Sequence, residues 1–426
     1  MLNTLKNAWK VQDLRRKIIF TILMLAIFRM GNTIPVPGVD TSILKTVSSQ
    51  QGNLFGFYDL ISGGAFSNFS IFALGVIPYI NASIIMQLLT VAIPQLEQLQ
   101  KEGETGRKKI SQTTRYMSVA LGILQAFSQY FIIRQLGAIT DTSKLKIFLV
   151  IVTLTAASTF LMWLGDQITV KGIGNGMSLI IFINIISRIP TTVKQLVSLK
   201  QMETVTIVGL VIFIIVAVAL FVSVVAVSLA ERRIPVQYAG KTVGNKTFKG
   251  QSSHIPINIS SSAVIAIIFA MSVMQFLPTI AQFWQGSKFY NFIETSQWSV
   301  FRSNTWPYAV IYFILTIFFT WFYTQITFKP DEMAENMHKS SGFIPGIRPG
   351  EPTAKFIERI LAKTAILGGL FAALIATFPV IMAGYTPFKG ISFGGTSILI
   401  MVGVALETMR QIESQLVMRH YEGFLK

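Results

Sequence analysis

Gly240-Lys241-Thr242 has the residue types that close a phosphate-binding loop, where backbone N–H groups and a lysine cradle an anion. The spacing fails: Pro235 stands where GxxxxGK[ST] needs its first glycine, and no strand-to-helix context surrounds it. GIGNGM at 172–177 is not the dinucleotide-binding GxGxxG. His254, His338 and His420 are scattered without paired ligand spacing, so they do not form a metal set. No GxSxG nucleophile elbow occurs. Asp59 is an acid inside an apolar stretch, but no second Asp in a partner motif completes an intramembrane aspartyl site. There is no cysteine, which excludes disulfides and thiolate metal sites. Neither catalysis, a metal nor a cofactor is expected.

The remaining side chains are dominated by hydrocarbon. Hydrophobic residues make up 52% and charged residues 13% of the 426, against about 25% charged in soluble domains. Long apolar runs then imply a polytopic membrane protein with no room for a large soluble domain. Ten spans are expected, near 18–34, 71–93, 115–135, 147–165, 176–189, 204–229, 259–281, 307–328, 361–384 and 393–409. Around Asn53–Ile93 a short apolar piece breaks at Gly63-Gly64 before a full span. Irregular backbone at membrane depth survives only inside protein or beside water, so this stretch implies a half-helix next to a cavity or pore. The fifth span is short and starts in the cluster Gly172, Gly174 and Gly176, a second sign of helices that do not simply traverse lipid.

Charge within the spans is sparse, with Arg29 and Glu407 the clearest cases. An ion-coupled transporter usually keeps ionisable groups near mid-bilayer. Here the polar mid-span residues are uncharged, among them Asn81, Ser83, Gln87, Thr90, Gln125, Asn184, Ser272 and Gln275. Two readings stay open for them: hydrogen bonds that hold a bundle together, or a weakly glued seam that can part.

Basic residues set the orientation. Of 36, 25 fall in the two termini and alternate loops, and 10 in the opposite loops. Positive loops stay inside, so both termini are expected in the cytoplasm. Residues 2–16 mix Leu2, Leu5, Trp9 and Leu14 with Lys6, Lys10, Arg15 and Arg16, the pattern of an amphipathic helix on an anionic membrane surface. The loops 230–256 and 327–360 are too long to be turns. The second carries Pro345-Gly346 and Pro349-Gly350, tight-turn pairs that present Arg348 at a loop tip.

Five segments carry a family resemblance: RRKIIFTILMLAIFRMGNTIPVPGVD at 15–40, SGGAFSNFSIFALGVIPYINASIIMQLLT at 62–90, GIGNGMSLIIF at 172–182, PDEMAENMHKSSGFIPGIRPGEPTAKFIERI at 330–360 and FGGTSILI at 393–400. In this order they resemble the SecY family of protein-conducting channels, over essentially the whole length. The resemblance implies an all-α polytopic fold of ten transmembrane helices in two pseudo-symmetric inverted halves. A cytoplasmic N-terminus at 1–17 would precede an N-terminal half at 18–189. An external hinge loop at 190–203, a C-terminal half at 204–409 and a tail at 410–426 would follow.

It also implies the site. A short re-entrant plug helix at about 54–65 would include Leu54, Phe55, Phe57, Tyr58, Leu60, Ile61, Gly63 and Gly64. Val76, Ile80, Ile181, Ile185, Ile268 and Ile400 match the family's pore ring. Branched aliphatics there would narrow the pore and offer water and ions no hydrogen bonds. Gln87, Thr90, Gln125 and Ser272 would lie at a lateral gate. Arg348, with Arg232 and Arg233, would dock the ATPase SecA and the ribosome. Basic tips suit rRNA phosphate and an acidic protein face. The implied partners further include SecE- and SecG-type small subunits, preproteins with their signal peptides, and anionic lipids, in the bacterial cytoplasmic membrane.

One departure stands out. The run Asn258–Ala270 lacks the Gly and Pro that the family carries at the start of the seventh span, so this helix is expected straighter and the closed gate firmer. Alternative readings are an accessory family member for restricted substrates and, more remotely, a secondary transporter. The latter needs a polar mid-membrane site that the apolar ring does not offer.

Overall fold

The computed structural model describes residues 2–41, 63–65, 68–139, 143–201, 206–238, 241–243, 246–248, 252–259, 263–281, 284, 286–294, 296, 298–302, 305–385 and 394–424. The chain begins with α1 (Leu2–Lys10) and α2 (Gln12–Gly31). Then come α3 (Ile77–Ala92), α4 (Pro94–Lys101), α5 (Glu104–Gln135), α6 (Lys144–Lys171), α7 (Gly176–Gln201) and α8 (Ile207–Leu229). Four strands follow: β1 (Glu231–Tyr238), β2 (Lys241–Val243), β3 (Lys246–Phe248) and β4 (Ser252–Asn258). The rest is α9 (Ala263–Ala281), α10 (Lys288–Glu294), α11 (Trp306–Thr327), α12 (Pro330–Lys339), β5 (Gly342–Phe343), α13 (Glu351–Tyr385) and α14 (Gly395–Phe424).

Each expected span falls on one helix. Among the described residues, seven helices are long and apolar enough to cross a membrane: α5, α6, α7, α8, α9, α11 and α13. An eighth is reached if α3 and α4, bent by 99° at their junction, count as one. The first and tenth expected spans fall on α2 and α14, which carry charges such as Arg15, Arg16 and Arg410.

Helix boundaries differ from the sequence expectation at two places. The second span does not start helical at Ile71. Residues 71–76 are turns, Gly75 sits at φ +56, and the helix begins only at Ile77. Pro78 in its first turn fits there because that N–H needs no intrahelical partner. The fifth helix does not stop near 189: α7 runs through Pro190 to Gln201, so 190–201 is helix rather than hinge loop. A proline signals termination only as a tendency, and here the following hydroxyls of Thr191 and Thr192 both donate to the Arg188 carbonyl.

The chain forms two compact units. The first comprises Met1–Phe213, Ser272–Ala309 and Pro379–Lys426; the second comprises Ile214–Met271 and Val310–Phe378. In the first, α3, α5 and α6 meet where Gly122 lies 3.7 Å, as a virtual Cβ, from Thr155 Cγ2 and 3.9 Å from Pro78 Cβ. An apolar cluster of Val36, Phe69, Leu74, Tyr130, Ile133 and Leu154 fills one end of this group. At Gly31 the ring of Phe72 occupies the place of a side chain, so only glycine fits. Phe72 then stacks on Phe28 at 5.7 Å and on Phe160 at 6.2 Å.

The second unit contains a sheet that the helical reading did not anticipate. Its order is β4-β1-β5, antiparallel throughout, with Arg232 opposite Ile257 and Tyr238 opposite Gly342. Alternation turns Ile234 and Val236 inward against Ile257, Met337, Ile344, Ile357 and Leu361. A second hairpin pairs β2 with β3, Lys241 opposite Phe248. Lys241-Thr242 therefore sits on a strand and not in a phosphate loop.

Candidate functional site

The glycine cluster before α7 is a packed corner. Asn175 caps α7, its Oδ1 accepting from the N–H groups of Met177 (3.1 Å) and Ser178 (3.2 Å). The Ile173 N–H donates to Thr21 Oγ1 at 3.0 Å, and the Gly176 N–H to Thr169 Oγ1 at 2.9 Å. A side chain on Gly172 would strike Thr21, and one on Gly174 would lie 3.2 Å from Thr408 Oγ1. The motif thus joins α2, α6, α7 and α14 at close range. Asn175 is a cap-type residue just before an apolar run, a signal that the sequence reading passed over; Thr21 and Thr169 carried none of their own.

That corner aims α7. Ile181 and Ile185, one turn apart on it, are both buried. Val76 is the N-cap residue of α3, and Ile80 follows one turn later; Val76 is buried and Ile80 half-buried. Ile400 is buried on α14. These five belong to the first unit, whereas Ile268 is half-buried on α9 in the second.

The gate candidates differ among themselves. Gln87 is exposed, and its Nε2 donates to Ser83 Oγ at 3.3 Å on the same helix. Thr90 is buried, its hydroxyl donating to the Met86 carbonyl at 2.6 Å. Gln125 is buried on α5, and among the described residues its Oε1 accepts no hydrogen bond. Ser272 is half-buried on α9.

Of the plug candidates, Leu54, Phe55, Phe57, Tyr58, Leu60 and Ile61 lie outside the described residues. Gly63 and Gly64 are described, with φ of +65 and +92, values that favour glycine. The Gly63 carbonyl accepts from Arg29 Nη1 at 3.5 Å.

The two long loops fold onto each other. Pairing of β1 with β5, and the core of Ile234, Met337, Ile344 and Ile357, make them one small body. Its tip is built by the Pro-Gly pairs. The Ile347 N–H donates to the Ile344 carbonyl at 3.1 Å around Pro345 and Gly346, the latter at φ +81. Gly350 at φ +95 leads into α13, and Thr353 Oγ1 donates to the Arg348 carbonyl at 2.8 Å. Arg348 is exposed between these two turns. Arg232 and Arg233 are exposed on β1, and Arg233 Nε donates to Glu231 at 2.7 Å.

The termini also meet. Ala8 of α1 and Leu14 of α2 pack with Ile173 and Ile412, and Thr4 Oγ1 donates to Glu413 at 3.2 Å. The buried face of α1 is thus spent on protein, while Lys6, Trp9 and Lys10 remain exposed.

Ten described helices that carry the expected spans, branched aliphatics buried on three of them and a basic platform built from two loops describe a multi-pass membrane protein of the channel class. The family model described as SecY matches residues 70–409. A curated relative, the protein translocase subunit SecY of Halalkalibacterium halodurans, is 43% identical with 100% of both chains covered. The chain belongs to the SecY family. Two solved structures share its fold. One, reporting that the SecY plug domain stabilises the closed translocation channel and maintains a membrane seal, has a TM-score of 0.64 at 17% identity, covering 94% of this chain and 92% of that one. Canine Sec61 in a ribosome–channel complex from the endoplasmic reticulum has a TM-score of 0.62 at 18% identity, with the same coverages.

Proposed function

We propose that this chain is the channel subunit through which unfolded preproteins cross the bacterial cytoplasmic membrane, and from which apolar segments pass sideways into lipid. The observation that carries the reading is the burial of Val76, Ile181, Ile185 and Ile400, branched aliphatics on three helices of one unit. Such side chains seal by refusing hydrogen bonds to water, yet move aside for a polypeptide. Ile80 extends the set by spacing; Ile268 joins it through the resemblance alone. Residues 54–65 act as the plug, and Gln87, Thr90, Gln125 and Ser272 border the lateral gate. The two halves, 18–189 and 204–409, are the moving parts.

Both termini are cytoplasmic on this reading, as the basic residues favour. The platform of β1, β4, β5 and the Arg348 tip docks SecA or the ribosome, supported by its exposed cations and by the ribosome-bound relative. SecE- and SecG-type subunits pack on apolar outer helix faces. Anionic lipid contacts the exposed Lys6-Trp9-Lys10 side of α1. The channel does no covalent chemistry; SecA or translation supplies the energy.

Ile400→Asn tests the ring. A hydrated side chain there is expected to raise ion conductance of the resting channel in a planar bilayer. Unchanged conductance would remove Ile400 from the seal.

A further inference from the structure

Two buried amides meet at the chain break that precedes α3. Asn32, just past α2, donates from Nδ2 to Asn184 Oδ1 on α7 at 3.4 Å. Asn184 is 1% exposed and Asn32 5%. The Asn184 side chain occupies the space that a Cβ on Gly63 would fill, and that Cβ would be 2.9 Å from Asn184 Cα. Gly63 is held from the other side as well, its carbonyl accepting from Arg29 Nη1 at 3.5 Å. A Cβ on Gly64 would lie 3.7 Å from Arg188 Nη2, one turn after Asn184 on α7. The chain beyond is fastened in turn: Asn68 N–H donates to the Gly64 carbonyl at 3.3 Å and Ser70 N–H to the Ala65 carbonyl at 2.8 Å, with Ala65 fully buried.

We infer that Asn184 is a positioning residue: with Asn32 and Arg29 it pins Gly63 and Gly64 to α2 and α7, so this turn is a fixed anchor. Left-handed glycines let the backbone approach α7 closely enough to be pinned. Loss of the hydrogen bond between the two amides loosens the turn that it spaces. Resting on the plug reading above, the pin holds the described end of that segment, residues 63–65.

The absence of native cysteine makes the test direct. Ala65→Cys, in the full chain in proteoliposomes, is probed with a small membrane-impermeant maleimide. Asn184→Ala and Asn32→Ala are each expected to speed labelling by roughly threefold to tenfold, the range for one lost buried hydrogen bond. The double variant is expected to add little to either. Asn184→Asp keeps the acceptor and places a carboxylate near Arg29 and Arg188, so it is expected to label at or below the parent rate. That opposite sign separates pinning from a general loss of packing. Equal labelling of Asn184→Ala and the parent, or faster labelling of Asn184→Asp, would overturn the pin. Faster labelling of the alanine variants with unchanged resting ion leak would uphold the pin and overturn the plug reading instead.

Discussion

Ile357 decides whether the platform of the two long loops is a folded body with its own core. It is fully buried on α13 among Ile234, Val236, Ile257, Met337, Ile344 and Leu361. Ile357→Ala removes three carbons, about 2.4 kcal/mol of transfer free energy at about 0.8 kcal/mol per methylene. Incomplete collapse of the cavity widens the cost to about 2–5 kcal/mol. The sheet it supports has strands of 8, 7 and 2 residues, too little to absorb that loss. Even the lower figure raises the opening equilibrium roughly thirtyfold. Hydrogen exchange on the protein in proteoliposomes reads this at the paired amides of β1 and β4, such as Ile234 opposite Ile255. Exchange in 231–258 is expected to accelerate while α5 and α6 keep their protection. Met337→Leu, nearly volume-conserving, is expected to cost less than about 1.5 kcal/mol and to leave exchange close to the parent. Parent-like exchange in 231–258 for Ile357→Ala would refute a platform held by this core.

Arg348→Glu separates docking from folding. Arg348 is exposed, and among the described residues it is its backbone carbonyl that is used internally, so thermal stability is expected to move by no more than about 0.5 kcal/mol. SecA-driven translocation into vesicles is expected to fail, and normal transport would take Arg348 out of the docking role. Thr21→Val tests the glycine corner. It deletes the acceptor for the Ile173 N–H and leaves a buried donor unpaired, an expected loss of about 1–3 kcal/mol, readable as a lower midpoint of thermal unfolding in detergent. Thr21→Ser keeps the acceptor and is expected to recover most of it.

The membrane architecture was legible because a spanning helix announces itself locally, by about 20 apolar residues in a row. The ten runs fell on ten helices for that reason. What the sequence concealed depends on distant partners. The platform sheet needs Tyr238 beside Gly342, more than a hundred residues away, and its strands are too short and too polar to stand out. The resemblance implied a hinge loop at 190–203, yet α7 continues to Gln201. The Pro-Gly pairs around Arg348 were read correctly, because a left-handed glycine after proline is a local rule. Basic residues in 2–16 suggested a surface helix, but only packing could reveal that Ala8 is covered by protein while Trp9 is 50% exposed. Asn184 was visible as a polar residue within a span; its pairing with Asn32 across two helices was not.

The most direct test of the channel assignment uses a stalled preprotein that carries one cysteine. Single cysteines at positions 80, 181, 185 and 400 are compared with one at Val218, which faces outward on α8. Disulfide cross-links to the preprotein are expected at all four positions and none at 218. Cross-linking that is absent from the four, or equally strong at 218, would contradict a pore lined by Ile80, Ile181, Ile185 and Ile400.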